Sequence, residues 1–126
     1  MRVIDTSAWI EFLLDSETGK MVGPEMPRRD DCIVPTIIQL ELAKWLAREA
    51  SRELRRAVLA DTSKGVVVAL DTALALQAAE ICRSRRLATA DAIIYATAQA
   101  YDAELLTCDG HFKDLPGVIY FPKGRP

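Results

Sequence analysis

The sequence lacks the cysteine pattern of a disulfide-stabilised or zinc-binding protein. Its three cysteines, Cys32, Cys82 and Cys108, are an odd number, and no two of them have metal-ligand or redox spacing. All three lie in apolar stretches, so we expect buried thiols in a protein of the reducing cytoplasm.

Long hydrophobic runs and a strong charge bias are also missing. No apolar run approaches the ~18 residues that would suggest a membrane span. Arg2 and Asp5 interrupt any apolar leader, so we expect no signal peptide. The formal net charge of −2 argues neither for nor against a nucleic-acid partner, although basic residues cluster at 48–56 and 83–86 and allow a local basic surface.

The chain is instead rich in apolar residues, which make up 50% of its 126 positions, and this predicts one domain over residues 1–126 with a substantial core. Short apolar segments of strand type alternate with helical segments, which is typical of an α/β protein with helices on both faces of a parallel sheet. The predicted strands are Val3–Ile4, Cys32–Val34, Val66–Leu70, Glu104–Cys108 and Val118–Phe121. The predicted helices are Ser7–Leu14, Ile37–Ala50, Ser51–Ala60, Thr72–Arg83 and Thr89–Tyr101.

Several local predictions accompany this pattern. Residues 15–31 are polar and broken by glycine and proline, so we expect mainly a connection with at most a short helical turn. Thr36 and Gln39 have the spacing of a capping box, and Asp71 is expected to cap the helix that follows it. The β-branched run at 66–70 predicts a fully buried strand, and the tail 122–126 is expected to be loose.

Four acidic residues are predicted to lie at one edge of the sheet. Asp5 ends the first strand and Asp109 follows the fourth. Glu41 and Asp91 lie early in helices that begin at the carboxyl ends of the strands, because each helix runs back antiparallel to them. Three of these acids also have a plain structural interpretation. Asp5 can cap the first helix, Asp91 can interact with a helix dipole, and Asp109 can begin an Asp-Gly turn.

Carboxylates gathered at one edge repel each other and raise each other's pKa unless a cation is present. Ligand sets made only of oxygen suit a hard cation, so we expect Mg²⁺ or Mn²⁺ as the cofactor. That chemistry fits phosphodiester hydrolysis, because the cation acidifies a water and stabilises the charge on the phosphoryl oxygens.

The same residues carry a resemblance that extends over nearly the whole chain. Its parts are Val-Ile-Asp-Thr-Ser at 3–7, Leu-Glu-Leu at 40–42, Ala-Thr-Ala-Asp-Ala-Ile-Ile at 88–94 with Ala-Thr-Ala at 96–98, and Leu-Thr-Cys-Asp at 106–109 with Phe112. In this order the chain resembles a PIN-domain ribonuclease, of the kind found as VapC-type toxins in bacterial and archaeal toxin–antitoxin pairs. The resemblance implies a three-layer α/β/α fold whose five-stranded parallel sheet has the order 3-2-1-4-5.

The resemblance also implies roles for single residues. The four family acids map onto Asp5, Glu41, Asp91 and Asp109. Asp5, Asp91 and Asp109 would hold the metal, and Glu41 would orient or deprotonate the attacking water. The supporting hydroxyl residues are Thr6, Ser7 and Thr107.

One position departs from the family pattern. Many relatives carry a further acid two residues after the fourth, and this chain has His111 there, its only histidine. We interpret it as a loop residue that could contact a phosphate. Candidates for RNA binding are Arg83, Arg85, Arg86, His111 and Lys113, each of which could equally be an ordinary solvated surface residue.

The resemblance further implies an RNA substrate, a homodimer and a small antitoxin partner, with no membrane association. The helices at 7–14 and 37–50 could line the antitoxin groove, although core packing explains their apolar residues equally well. The alternatives are a PIN-like nuclease outside a toxin–antitoxin pair, a DNA nuclease, an RNA-binding domain without catalysis, and a phospho-acceptor domain using Asp71.

Overall fold

The computed structural model describes residues 1–124 and contains five parallel strands in one sheet. The strands are β1 (Arg2–Ile4), β2 (Cys32–Pro35), β3 (Val66–Val68), β4 (Glu104–Thr107) and β5 (Val118–Tyr120). Their order is β3-β2-β1-β4-β5, with every neighbouring pair parallel, which confirms the order that the resemblance implied.

Helices flank this sheet. They are α1 (Thr6–Leu14), α2 (Glu17–Val22), α3 (Thr36–Glu49), α4 (Arg52–Thr62), α5 (Thr72–Arg85) and α6 (Thr89–Ala100). Three short 3₁₀ turns lie at Gly23–Glu25, Arg29–Asp31 and Gly110–Phe112. No helix within residues 1–124 has both the length and the apolar character needed to cross a membrane.

The central pair of strands, β1 and β4, lies in the middle of the hydrophobic core. Val3 and Leu105 are register partners, and both are fully buried, as strands covered on two faces should be. The ladder continues one step past β1, where the backbone N–H of Asp5 donates to the Leu106 carbonyl at 2.9 Å. The end of β1 is therefore fixed directly beside the end of β4.

The prediction for residues 15–31 underestimated their structure, because the segment contains the whole of α2. Ser16 caps this helix by accepting a hydrogen bond from the Gly19 N–H at 2.9 Å. Gly19 belongs there for packing, since a Cβ at this position would lie 2.0 Å from the Glu11 carbonyl oxygen of α1. A glycine that reads as a helix breaker in sequence thus permits close contact between two helices.

The predicted capping box at the start of α3 is wrong. Pro35 occupies the N-cap position without a side-chain hydrogen bond, and Thr36 is already helical. The Gln39 amide donates instead to the Thr62 hydroxyl at 3.3 Å. Asp71, in contrast, caps α5 as predicted, accepting from the Leu74 N–H at 2.8 Å.

Burial of β3 was also predicted wrongly. The strand has three residues, and Val67 and Leu70 are 42% and 47% exposed. The reason is topological, because β3 is an edge strand that pairs only with β2. A β-branched run indicates a strand but does not say whether a second strand will cover its far side.

Two smaller predictions are corrected by the structure. Cys32 and Cys108 are buried, which raises the pKa of each thiol to about 11, but Cys82 is partly exposed. The tail was expected to be loose, yet its described part is held by Thr18, whose hydroxyl donates to the Pro122 carbonyl at 3.0 Å and accepts from the Gly124 N–H at 2.7 Å. Residues 125 and 126 of that predicted tail lie outside the described residues.

Candidate active site

Asp5 is a buried carboxylate at the carboxyl end of β1. Ser7 Oγ and Thr107 Oγ1 both donate to its Oδ2 atom, at 2.6 and 2.8 Å. Each hydroxyl also accepts a backbone N–H, Ser7 from Cys108 and Thr107 from Asp109, both at 3.0 Å. The two hydroxyls therefore link Asp5 to the segment that ends in Asp109.

This network rejects the capping interpretation of Asp5. The residue stands at the N-cap position of α1, but its carboxylate makes no cap hydrogen bond to that helix. Among the hydrogen bonds of residues 1–124, both side-chain bonds to Asp5 reach Oδ2 and none reaches Oδ1. One carboxylate oxygen is thus held in place while the other keeps its acceptor capacity.

Burial is the main reason that the pKa of Asp5 lies above its usual range. The Ser7 and Thr107 hydroxyls lower that pKa, and the neighbouring charges of Asp109 and Glu41 raise it. The carboxylates are therefore close enough to repel each other, as the sheet topology predicted.

Glu41 reaches the site from the second turn of α3. It is half-buried, and its Oε1 accepts a hydrogen bond from Thr6 Oγ1 at 2.6 Å. The bond joins α3 to the first residue of α1, next to Asp5. Thr6 and Ser7 are consecutive residues, and each holds a different acid of the site.

Asp91 and Asp109 form the more open part of the site, with side chains 17% and 28% exposed. Asp91 lies in the first turn of α6, and Asp109 follows β4. The pKa of Asp91 is raised to about 6, first by burial and then by the charges of Asp109 and Asp5. The predicted Asp-Gly turn is present too, because Asp109 Oδ1 accepts from the His111 N–H at 2.9 Å.

His111 lies over these two acids. Its Nδ1 is 3.1 Å from Asp109 Oδ1 and 3.4 Å from Asp91 Oδ2. Among the described residues, Asp91, Asp109 and His111 form a group whose ligand atoms all lie within 4.8 Å of one another. Asp5, which the sequence placed in the metal set, lies deeper and is not part of this group.

A buried aromatic pair supports the open part of the site. Tyr95, one turn after Asp91 on α6, stacks on Phe112, which follows His111, with ring centroids 6.4 Å apart. The Tyr95 hydroxyl also donates to the Pro116 carbonyl at 2.7 Å, which fixes the loop to the helix. The sequence interpretation missed Tyr95, although its position four residues after Asp91 places it on the same helix face.

The donor set fits a divalent cation. Within residues 1–124, no lysine or arginine forms an ion pair with any of the four acids, and the His111 imidazole is the one basic group beside them. The charges of neighbouring acids raise the pKa of Asp5 and of Asp91, and a bound cation would relieve this repulsion. Carboxylate oxygens are the ligands that Mg²⁺ and Mn²⁺ prefer.

The predicted RNA-binding residues differ in whether they are already paired with another side chain. Arg83 is paired with Glu80 on its own helix. Arg85 and Arg86 are exposed at the end of α5, and because only residues 86–88 separate α5 from α6, they lie at the same end of the helix pair as Asp91. Lys113 is exposed directly after the 3₁₀ turn that contains His111.

Together, these features define a three-layer α/β protein with an acidic site at the point where the strand order reverses, between β1 and β4. The chain belongs to the PIN domain family, whose model matches residues 2–118. This is a family of nucleases. No curated protein matches the sequence significantly.

Solved structures with the same fold include toxin–antitoxin complexes. A toxin–antitoxin complex from Klebsiella pneumoniae has a TM-score of 0.80 and 21% identity, over 94% of this chain and 96% of that one. VapBC2 from Rickettsia felis, bound to a promoter DNA fragment, has a TM-score of 0.71 and 14% identity, over 98% of both chains. VapBC-1 from nontypeable Haemophilus influenzae has a TM-score of 0.70 and 16% identity, over 96% of both chains.

Proposed function

We propose that this chain, as a single PIN-like domain, is a divalent-metal-dependent endoribonuclease and the toxin of a VapBC-type toxin–antitoxin pair. The observation that carries the proposal is the convergence of Asp5, Glu41, Asp91 and Asp109 at one sheet edge without a lysine or arginine partner in residues 1–124. A surface that only bound RNA would gain nothing from this repulsive charge.

Asp91 and Asp109 would hold Mg²⁺ or Mn²⁺, with Asp5 contributing through its Oδ1 atom or through a water. The bound cation would supply Lewis-acid stabilisation of the charge on the phosphate and would make a nearby water more acidic. Ser7 and Thr107 keep Asp5 in one orientation, so the carboxylate is positioned before any ligand arrives.

Glu41 would accept the proton of the attacking water. Thr6 fixes one of its oxygens, Oε1, so the second oxygen has a defined direction and remains available to a water. The water would attack the phosphorus in line while the bond from phosphorus to the 3′ oxygen breaks, and the departing oxygen would take a proton from solvent. The products would be a 5′-phosphate and a 3′-hydroxyl, as the resemblance implies.

The RNA backbone would be held by basic residues beside the acids. Arg85, Arg86 and Lys113 are exposed around the same edge and can contact phosphates. Arg83 is a weaker candidate, because it already pairs with Glu80.

The test of this activity is cleavage of matched single-stranded RNA and DNA by the purified protein, with Mg²⁺, Mn²⁺ or EDTA. We expect RNA cleavage that needs the metal and stops in EDTA. An Asp91→Asn variant serves as the control for contaminating nuclease, because its substituted side chain is partly exposed and the fold should survive. Preference for DNA, or equal cleavage by the variant, would refute the proposal.

The proposed partner is a small antitoxin, as in the complexes that share this fold. Exposed apolar side chains are available on α1 and α3, where Phe12, Leu14 and Leu40 are 39%, 57% and 58% exposed. We also propose a homodimer acting in the cytoplasm. The antitoxin partner is tested by co-expression with the product of a neighbouring small open reading frame, followed by measurement of the mass of the complex and of its RNase activity. A partner that neither binds nor inhibits would remove the toxin role and leave the nuclease role standing.

A further inference from the structure

The position of His111 is fixed from two sides, although its side chain is 76% exposed. Its backbone N–H donates to Asp109 Oδ1, and its ring Nδ1 lies 3.1 Å from the same oxygen. The next residue, Phe112, is fully buried and stacked on Tyr95. The imidazole therefore has a supported position over the acids, unlike an ordinary loop side chain.

The ring nitrogen that faces the acids is also close enough to them to bind the same metal ion. Nδ1 lies within 3.4 Å of a carboxylate oxygen from each of Asp91 and Asp109. A neutral imidazole with its proton on Nε2 offers a lone pair at Nδ1, so the three side chains can present one nitrogen and two or more oxygens to a single ion.

We propose that His111 is a nitrogen ligand of the divalent cation and that it gives this site a preference for Mn²⁺ over Mg²⁺. The inference rests on the proposed metal-dependent function. Mg²⁺ is bound almost entirely through oxygen, whereas imidazole suits transition metals. Adding one nitrogen to a carboxylate pair should therefore strengthen Mn²⁺ binding much more than Mg²⁺ binding.

A different role for the imidazole predicts the opposite result. If His111 only neutralised Asp91 and Asp109 as a positive imidazolium, it would compete with the incoming cation. Removing the side chain would then strengthen the binding of both metals. The sign of the change upon substitution separates the two roles.

The experiment is calorimetric titration of Mg²⁺ and Mn²⁺ into the wild-type protein and into His111→Ala, His111→Asp and Lys113→Ala variants. We expect His111→Ala to weaken Mn²⁺ binding by about tenfold or more and Mg²⁺ binding by less than about threefold. His111→Asp should bind Mg²⁺ at least as tightly as the wild-type protein, because it adds an oxygen ligand, and should lack the preference for Mn²⁺. Lys113→Ala, two residues further along the chain and also exposed, should retain the wild-type metal preference.

Electron paramagnetic resonance of bound Mn²⁺ gives a readout independent of affinity and activity. A ¹⁴N coupling from imidazole should be present in the wild-type protein and absent from His111→Ala. Metal-dependent RNA cleavage without that coupling would overturn the ligand role of His111 and leave the nuclease function standing. So would His111→Ala changing the affinity for the two metals equally. If the wild-type protein binds neither metal, both this inference and the proposed nuclease function are wrong.

Discussion

The two ends of the β1–β4 pair carry opposite arrangements of charge. At the amino end, register partners Arg2 and Glu104 form an ion pair at 3.1 Å, and Arg2 also pairs with Glu25 at 3.0 Å. At the carboxyl end, the charge of Asp109 raises the pKa of Asp5. Within residues 1–124, the His111 imidazole is the one basic group that lies within 4 Å of an acid at this end, and it pairs with Asp91 and Asp109.

The comparison assigns a structural role to the amino end, whereas the carboxyl end carries the chemistry that we propose. The amino-end pairs are partly exposed, and such pairs each contribute about 0 to 1 kcal/mol. The carboxyl end is buried and repulsive in the metal-free protein, which lowers stability, and such sites are typical of function. Substitutions at the two ends should therefore separate activity from stability.

The largest effect is expected from Asp5→Asn at the carboxyl end. Asparagine can still accept from Ser7 and Thr107, but it removes a negative charge, so RNA cleavage should fall by at least about a hundredfold. The melting temperature of the metal-free protein at pH 7.5 should stay the same or rise, because repulsion is relieved. Activity close to that of the wild type would remove Asp5 from the mechanism.

A smaller loss is expected from Thr107→Val, which keeps the shape of the residue and deletes its hydroxyl. Asp5 loses a donor and the Asp109 N–H loses its acceptor, so both acids lose part of their support. We expect RNA cleavage to fall by about 10- to 100-fold and the free energy of unfolding by about 1–3 kcal/mol. A matched Thr97→Val change, which deletes a buried hydroxyl bonded within α6, controls for the loss of stability alone.

The pH dependence of stability tests the repulsion directly. The folded-state pKa of Asp91 is about 6 against an ordinary 3.8, so its contribution to stability is fully present below pH 3.8 and is lost as pH rises through about 6. Asp91→Asn should therefore melt at the wild-type temperature near pH 3.8 and at least about 5 °C above it at pH 7.5, without metal. Melting curves at both pH values check this, and an equal difference at the two would contradict it.

The smallest effect is expected at the amino end. Glu104→Gln removes one side of the Arg2 ion pair, so the free energy of unfolding should fall by less than about 1 kcal/mol, and RNA cleavage should not change. Chemical denaturation and the RNase assay measure the two quantities. A loss of activity here would mean that the two ends are coupled, and the comparison would fail.

The sequence predicted the alternation of strands and helices because each element carries its own apolar period. The convergence of Asp5, Glu41, Asp91 and Asp109 also followed from the sequence, because chain direction alone brings the carboxyl ends of parallel strands to one edge. The interpretation of His111 as a loop residue was incomplete. Sequence spacing places it near Asp109, but its position over Asp91 depends on the tertiary contacts of its neighbours, including the Tyr95–Phe112 stack.

Two other errors also arose from contacts between separate elements. Val67 is exposed because β3 has no neighbouring strand on its outer side. A glycine is needed at position 19 because the Glu11 carbonyl of α1 leaves no room for a Cβ. Thr36 had the spacing of a cap, but the structure begins the helix one residue earlier. For Val67 and Gly19, the arrangement of neighbouring elements decided a property that the local pattern left open. The error at Thr36 is local, because Pro35 precedes the helix without a side-chain cap.

By itself, the sequence determined the α/β class and the placement of four acids at one edge of the sheet, because these follow from periodicity and chain direction. Charge alone led to the prediction of a divalent cation there. Only the tertiary structure decided that one oxygen of Asp5 is held by two hydroxyls and that the imidazole stands over Asp91 and Asp109. The first arrangement joins residues about 100 positions apart, such as Ser7 and Cys108, and the second joins a loop residue to the start of α6. Contacts of both kinds exist only after the core has packed.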